Sequence, residues 1–205
     1  GTPTLKVTES FDAAQSEYTL NFEQSRGDVP GGGDFQPMLL PVRLGLLDPA
    51  TGADLALHGG APVDGATEAV IELTEARASV TFTGIQARPV PSVLRNFSAP
   101  VRLDMEESES DLAFRMAHDS DSFNRWEAGQ RLMKIVLLGL IADVQAGREL
   151  SLNEGLVSAF GAILADTDLD SALKANAMAV PAERILAQEF ETIDPDAIHT
   201  ARVFV

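Results

Sequence analysis

The stretch that decides the fold reads Asp119-Ser-Asp-Ser-Phe-Asn-Arg-Trp-Glu-Ala-Gly-Gln130, followed by Arg131-Leu-Met-Lys-Ile-Val-Leu-Leu-Gly-Leu-Ile-Ala-Asp-Val-Gln145. Upstream of it the chain has the rhythm of strands, and downstream the rhythm of helices. Asp119 to Ser122 are short polar side chains that accept bonds from the free N–H groups of a helix start, so one of them is expected as the N-cap. Glu127 falls in the first turns, where a negative charge suits the helix dipole. Phe123, Trp126, Met133, Val136, Leu137, Leu140, Ile141 and Val144 recur at helical spacings, and the apolar Ile135 and Leu138 lie between them. A helix that is apolar nearly all round needs neighbours on most of its circumference. Leu132 to Ala142 contains Lys134 and is too short to span a bilayer. The expectation is a central helix of a helical layer. Trp126, the lone tryptophan, is expected to be buried between a β-layer and the helices.

Downstream, the helical period continues. Gly147 suits the stop of the central helix. Ser151-Leu-Asn-Glu154 has the spacing of a capping box and opens a helix carrying Leu156, Phe160, Ile163 and Leu164. Residues 168–179 hold Leu169, Leu173, Ala177 and Met178. Pro181 fits a first helical position ahead of Ile185, Leu186 and Phe190. Asp194-Pro195 opens a last helix with Ile198 and Val203. Together with a short helix around Leu112 to Met116, capped by Ser108 or Ser110, this makes about six helices stacked as pairs. Ala201 to Val205 ends apolar, whereas helical stacks normally close with a polar outer face, so the helical part is expected to be truncated and to continue in a longer protein.

Upstream, the period is two. Leu5, Val7 and Phe11 mark one strand. Tyr18, Leu20 and Phe22 alternate with polar residues in a second, with a hairpin at Asp12 to Ser16. Arg26 to Asp34, with Gly31 to Gly33, reads as a loop. Pro37 to Asp48 holds a third strand, Leu55 and Leu57 a short one, and Val70 to Leu73 and Val80 to Ile85 two more. Pro89-Val-Pro91 must lie at an edge or outside a central ladder. Leu94, Phe97, Val101 and Leu103 finish the set. About seven short strands in ~100 residues, separated by turns, predict an antiparallel β-sandwich of immunoglobulin-like type. The expected domains are therefore a β-sandwich over 1–107 and the N-terminal part of a helical, HEAT-like domain over 108–205.

Composition narrows the function. The 205 residues carry a formal net charge of −16 and are 45% hydrophobic. Such an acidic chain does not suit nucleic acid, whose phosphates need clustered Lys and Arg. The densest acidic run, Asp104 to Asp111, reads as a solvated turn. Without cysteine there is neither disulfide nor thiolate metal site, which is compatible with a cytoplasmic location. No signal peptide or membrane span is visible. The sequence opens Gly-Thr-Pro without Met, so its N-terminus is expected to be processed or excised from something longer.

The motifs of chemistry are missing. His58, His118 and His199 are scattered, and no His-Glu-x-x-His occurs. His118 reads as a helix C-terminal histidine, His58 as part of a Gly-rich turn and His199 as exposed or structural. There is no Gly-x-Ser-x-Gly, and the glycine loop lacks the Lys-Ser/Thr of a phosphate loop. Arg125 is expected in an inter-element salt bridge or on a strand-end carbonyl. Arg125, Trp126, Glu127 and Phe97 are structural candidates; none is catalytic, metal-binding or substrate-binding.

Five segments carry a family resemblance: Tyr18-Thr-Leu20, Gln36-Pro-Met-Leu-Leu-Pro-Val42, Arg88-Pro-Val-Pro-Ser92, Asn96-Phe-Ser-Ala-Pro-Val101 and Asp121-Ser-Phe-Asn-Arg-Trp-Glu-Ala-Gly-Gln130, with Ile193-Asp-Pro-Asp-Ala-Ile-His199 as a late addition. In this order they resemble the third and fourth domains of the bacterial aminopeptidase N (alanyl aminopeptidase) family, zinc metallopeptidases. In that family the zinc site and the motif gripping the substrate's α-amino group lie in the second domain. Neither the His-Glu-x-x-His-plus-Glu motif nor Gly-Ala-Met-Glu-Asn is present here, so no catalytic or metal residue carries over. The resemblance implies a linker sandwich and the start of a helical domain that walls the active-site chamber. Zinc and the peptide substrate then belong to the parent enzyme, whose remaining domains are the partners. The alternative is an independent sandwich and helical module that binds a protein partner.

Overall fold

A computed structural model describes residues 2–26 and 35–205. The loop read at Gly31 to Gly33 lies outside them. The chain forms two compact units: one of Gly1–Glu107 with Asp119–Asn124, the other of Ser108–His118 with Arg125–Val205.

In the first unit, a five-stranded sheet has the order β4-β6-β2-β1-β8, and a three-stranded sheet the order β5-β3-β7. The strands are β1 (Pro3–Asp12), β2 (Glu17–Arg26), β3 (Leu40–Leu47), β4 (His58–Gly59), β5 (Ala69–Leu73), β6 (Arg77–Thr83), β7 (Val90–Val93) and β8 (Arg102–Met105). All pairs are antiparallel except β1 with β8, which run parallel. The β1–β2 hairpin sets Val7 against Phe22 and Phe11 against Tyr18. Asp12 closes its turn by accepting the N–H groups of Ala14 and Gln15. The inward set of β2 is Tyr18, Leu20 and Phe22. It shares one core with Leu5, Val42, Leu44, Leu46, Leu73 and Phe82 from both sheets. Alternation works because successive strand side chains point to opposite faces.

Two strand readings change. Leu55 is in no ladder and Leu57 makes only an isolated bridge to Ala66, and the short strand is His58–Gly59 beside β6. Phe97 is not in a strand: β7 ends at Val93, and Arg95–Phe97 forms a tight turn in which Asn96 and Phe97 are left-handed. Pro91 sits in β7, an edge strand, where its missing N–H is tolerated.

The second unit is helical: α1 (Glu109–His118), most of α2 (Ser122–Gln145), α3 (Glu154–Ala165), α4 (Ser171–Ala177), α5 (Glu183–Ala187) and α6 (Pro195–Phe204). Ser108 caps α1 by accepting the Asp111 N–H. The core joins Leu112 and Met116 of α1 to Leu132, Met133, Leu137 and Ile141 of α2, and to Leu156, Ile163, Leu186 and Ile198 beyond. Gly129 lets α2 approach the end of α4: a Cβ there would meet the Ala177 carbonyl oxygen at 3.1 Å.

Three details of the helical reading are corrected. The cap of α3 is Asn153, which accepts the Leu156 N–H, and not Ser151. The helix begins at Glu154, so Asn153 and not Ser151 occupies the cap position. Pro181 lies outside α5, whose first residue is Glu183. Trp126 is 40% exposed and is not a buried core residue. Its neighbours Ala128 and Leu132 take the inward positions of the helix instead.

Candidate functional site

A polar cluster of the first unit surrounds Arg95, a buried guanidinium only 2% exposed. Its Nε donates to Ser92 Oγ at 2.9 Å and its NH2 to Asp54 Oδ1 at 2.6 Å. Asp119 Oδ1 lies 3.6 Å from NH2, and Glu68 Oε2 lies 3.8 Å from NH1. A buried charge is tolerated only when paired and hydrogen-bonded, and this one has both. The guanidinium lies flat on β3 at Gly45, where a Cβ would fall 2.4 Å from its central carbon.

Asp119 to Asn124 complete the cluster. Asn124 Nδ2 donates to Ser92 Oγ and to the Val93 carbonyl, each at 2.9 Å. Ser120 Oγ donates to Asp54 Oδ2 at 2.6 Å. Asp121 has two tasks. Its Oδ1 accepts the Asn124 N–H at 2.8 Å, which caps α2, and its Oδ2 accepts the Asn96 N–H at 2.9 Å. Phe123 meets Phe97 edge-on, with ring centroids 5.5 Å apart. Leu94, Asn96 and Phe97 all have positive φ, at 60°, 53° and 51°. Left-handed non-glycine residues cost of order 1–3 kcal/mol each and persist only where surroundings over-determine them.

The rest of the motif works inside the second unit. Arg125 donates from NH2 to the Ala117 carbonyl at 2.9 Å and pairs with Asp166 at 3.3 Å. The carbonyl belongs to the last turn of α1, not to a strand end. The Arg125 Nε is buried and has no hydrogen-bond partner among the described residues. Glu127 lies 3.5 Å from Arg115, a side chain buried to the same degree as Arg95, and 3.7 Å from Arg131. Asp166 follows α3, and the Asp168 N–H is the main cause that holds its carboxyl below the usual range; desolvation opposes this, and Arg125 and the Leu169 N–H reinforce it. Burial, and then the Arg125 charge, push the His118 imidazole below its ordinary value.

The described residues offer no donor set that fits zinc: no group of three or more His, Cys, Asp or Glu side chains is placed to hold a metal ion. His58 pairs with Asp64, His199 with Glu183, and His118 packs on Phe114. Tyr18 donates to Glu9, which Arg88 also pairs, so that carboxylate is engaged. No helix among the described residues is long and apolar enough to cross a membrane.

Sequence reasoning singled out Phe97, Arg125, Trp126 and Glu127 but missed Arg95, Asp54, Ser92 and Asn124. The available signal was a cation and an amide in an otherwise apolar run, Val93-Leu-Arg-Asn-Phe97.

This architecture, a two-sheet β-unit with a helical unit, is that of a family matched over residues 1–106 and described as "Domain of unknown function (DUF3458) Ig-like fold"; the chain belongs to it. Residues 109–205 match its companion, described as "Domain of unknown function (DUF3458_C) ARM repeats". The chain is similar to Aminopeptidase N of Escherichia coli K12, 33% identical over 98% of this chain and 23% of that protein. It is 38% identical to Aminopeptidase N of Caulobacter vibrioides, over 98% of this chain and 22% of the relative. Among solved structures it resembles Legionella pneumophila aminopeptidase A in complex with aspartic acid, with TM-score 0.74 and 26% identity over 100% of this chain and 21% of that one. The chain therefore matches a region of a larger aminopeptidase, spanning about a quarter of the length of those relatives.

Proposed function

We propose that this chain is a non-catalytic portion of a zinc-dependent aminopeptidase that removes N-terminal residues from peptides in the cytoplasm. In this reading it links the catalytic domain to the helical domain and helps to wall the active-site chamber. Zinc and the peptide substrate belong to the rest of the enzyme, and the remaining domains are the partners of this piece. Trp126, Arg125, Glu127 and Phe97 serve structure. One observation carries the proposal: nearly all of the chain, but only 22–23% of each relative, is shared with proteins named Aminopeptidase N.

Two measurements test it. The purified chain, assayed on alanyl-p-nitroanilide with added zinc, is expected to show no turnover above a zinc-only blank; turnover would overturn the non-catalytic role. Reading the coding sequence upstream of Gly1 is expected to show a His-Glu-x-x-His segment in the same frame. A frame opening at Gly1 and closing at Val205 would favour an independent binding module instead.

A further inference from the structure

We propose that Asp119–Asn124 is a docked strap: a segment that stabilises the β-unit thermodynamically, although in sequence it stands beyond α1 and opens the longest helix of the other unit. Three independent seats argue for this. The first is ionic, with Asp119 beside the buried Arg95 guanidinium. Asp119 is itself buried, so the pair sits where charge interactions are least screened. The second is a buried amide: Asn124 supplies both Nδ2 hydrogens to β7, one to Ser92 and one to the Val93 carbonyl. The third is the turn itself, where Asp121 takes the Asn96 N–H in the middle of a left-handed run.

The strap explains the strain. Three left-handed non-glycine residues in four positions do not hold themselves. Here Asn96 is fixed through its N–H and Phe97 through Phe123, while Arg95 between them is anchored by Ser92, Asp54 and Asp119. Ser92, Asp54 and Glu68 hold Arg95 from within the β-unit, and Asp119, Asp121 and Phe123 are the strap's share of the fastenings. The β-unit is thus not complete at Glu107. A cut there would leave Arg95 without Asp119, and the Val93 carbonyl and the Asn96 N–H without the strap partners described above.

Amide hydrogen exchange on the full chain tests the assignment, using two mild core truncations outside the strap. Val42→Ala loosens the β-unit core, and Ile141→Val loosens the helical core; both residues are fully buried. A strap that belongs to the β-unit will show exchange at Asp121–Asn124 about 5- to 30-fold faster in Val42→Ala, together with β3. In Ile141→Val, residues 133–144 will speed up while Asp121–Asn124 keep wild-type rates. Acceleration of the strap by Ile141→Val, alone or together with Val42→Ala, overturns the proposal. So does a strap that ignores both variants. A cycle of Arg95→Met, Asp119→Leu and the double variant gives a second readout. The strap predicts a double variant that unfolds less readily than the two single effects multiplied, and strict multiplication of the two overturns it.

Discussion

The two units bury polar side chains to different extents around their apolar cores. The β-unit keeps charge inside: Arg95 and Asp119 are buried, and Asn124 and Ser92 with them. The helical unit buries Arg115 and part of Arg125, but its core proper is an apolar set running from Leu112 to Ala201. Both units leave apolar side chains outside: Leu39, Val63 and Phe97 in the first, and Val157, Leu164, Ile193 and Val203 in the second. The reason for the polar difference is geometric. A sandwich has two inner faces and closes its core between them, so its irregular corner must be held by specific polar bonds. A helix stack spreads its apolar surface around each helix and needs no such corner. Both units therefore rest on an apolar core, and the first adds a turn at Leu94 to Phe97 that is tied by named polar bonds.

The sharpest way to break this contrast is to truncate each core. Leu44→Ala and Leu137→Ala remove fully buried side chains, one from each unit. Each is expected to cost about 2–5 kcal/mol by urea unfolding. A cost below ~1 kcal/mol at Leu137 would mean that the helical core is not close-packed. Next comes Gly45→Ala, which pushes a methyl group into a guanidinium held by Ser92 and Asp54. It is expected to cost about 1–3 kcal/mol, as overpacking does. A neutral result would show that the Arg95 seat is soft, and would erase the difference between the units.

Smaller effects sharpen the comparison. Asn153→Ala removes the cap of α3 and is expected to cost about 1 kcal/mol, with Asn153→Asp close to wild type. Trp126→Ala, at a site 40% exposed, is expected to cost less than Leu137→Ala in the same titration. An equal or larger cost would restore the tryptophan to the core. The smallest effect is pH-dependent. Burial and Arg125 lower the His118 pKa in the folded chain, so the unfolded chain takes up its proton first on acidification. His118 thus leaves stability intact above the ordinary histidine value of about 6.5 and removes some as pH falls below it toward the lowered folded value. His118→Gln is therefore expected to lose less stability than wild type between about pH 7.5 and 5. Parallel profiles would contradict the shift.

The sequence made the elements legible wherever one period ruled a long run. Tyr18-Thr-Leu-Asn-Phe22 is a strand by alternation, and Leu132 to Val144 is a helix by spacing. It failed where a local signal competed with a better one nearby. Ser151 has capping-box spacing, but Asn153 is the residue whose side chain reaches a free N–H. Phe97 looks like a strand residue because Val101 and Leu103 follow it, yet tertiary bonds hold it in a left-handed turn. Trp126 looks like core by size alone, and only the rotation of α2 puts Ala128 inward and the indole outward.

By itself the sequence determined the order of β before α, the outline of most elements, the family motifs and the lack of a His-Glu-x-x-His site. Those properties are written in neighbouring residues, because periodicity and capping act over a few positions. Only the tertiary structure decided that Arg95 is a buried hub and that Asp119 to Asn124 are grouped with strands from which ten helical residues separate them. Asp54, Ser92 and Asn124 are far apart along the chain and meet only when the sheets close. No local pattern encodes a charge pair whose partners are brought together by the fold.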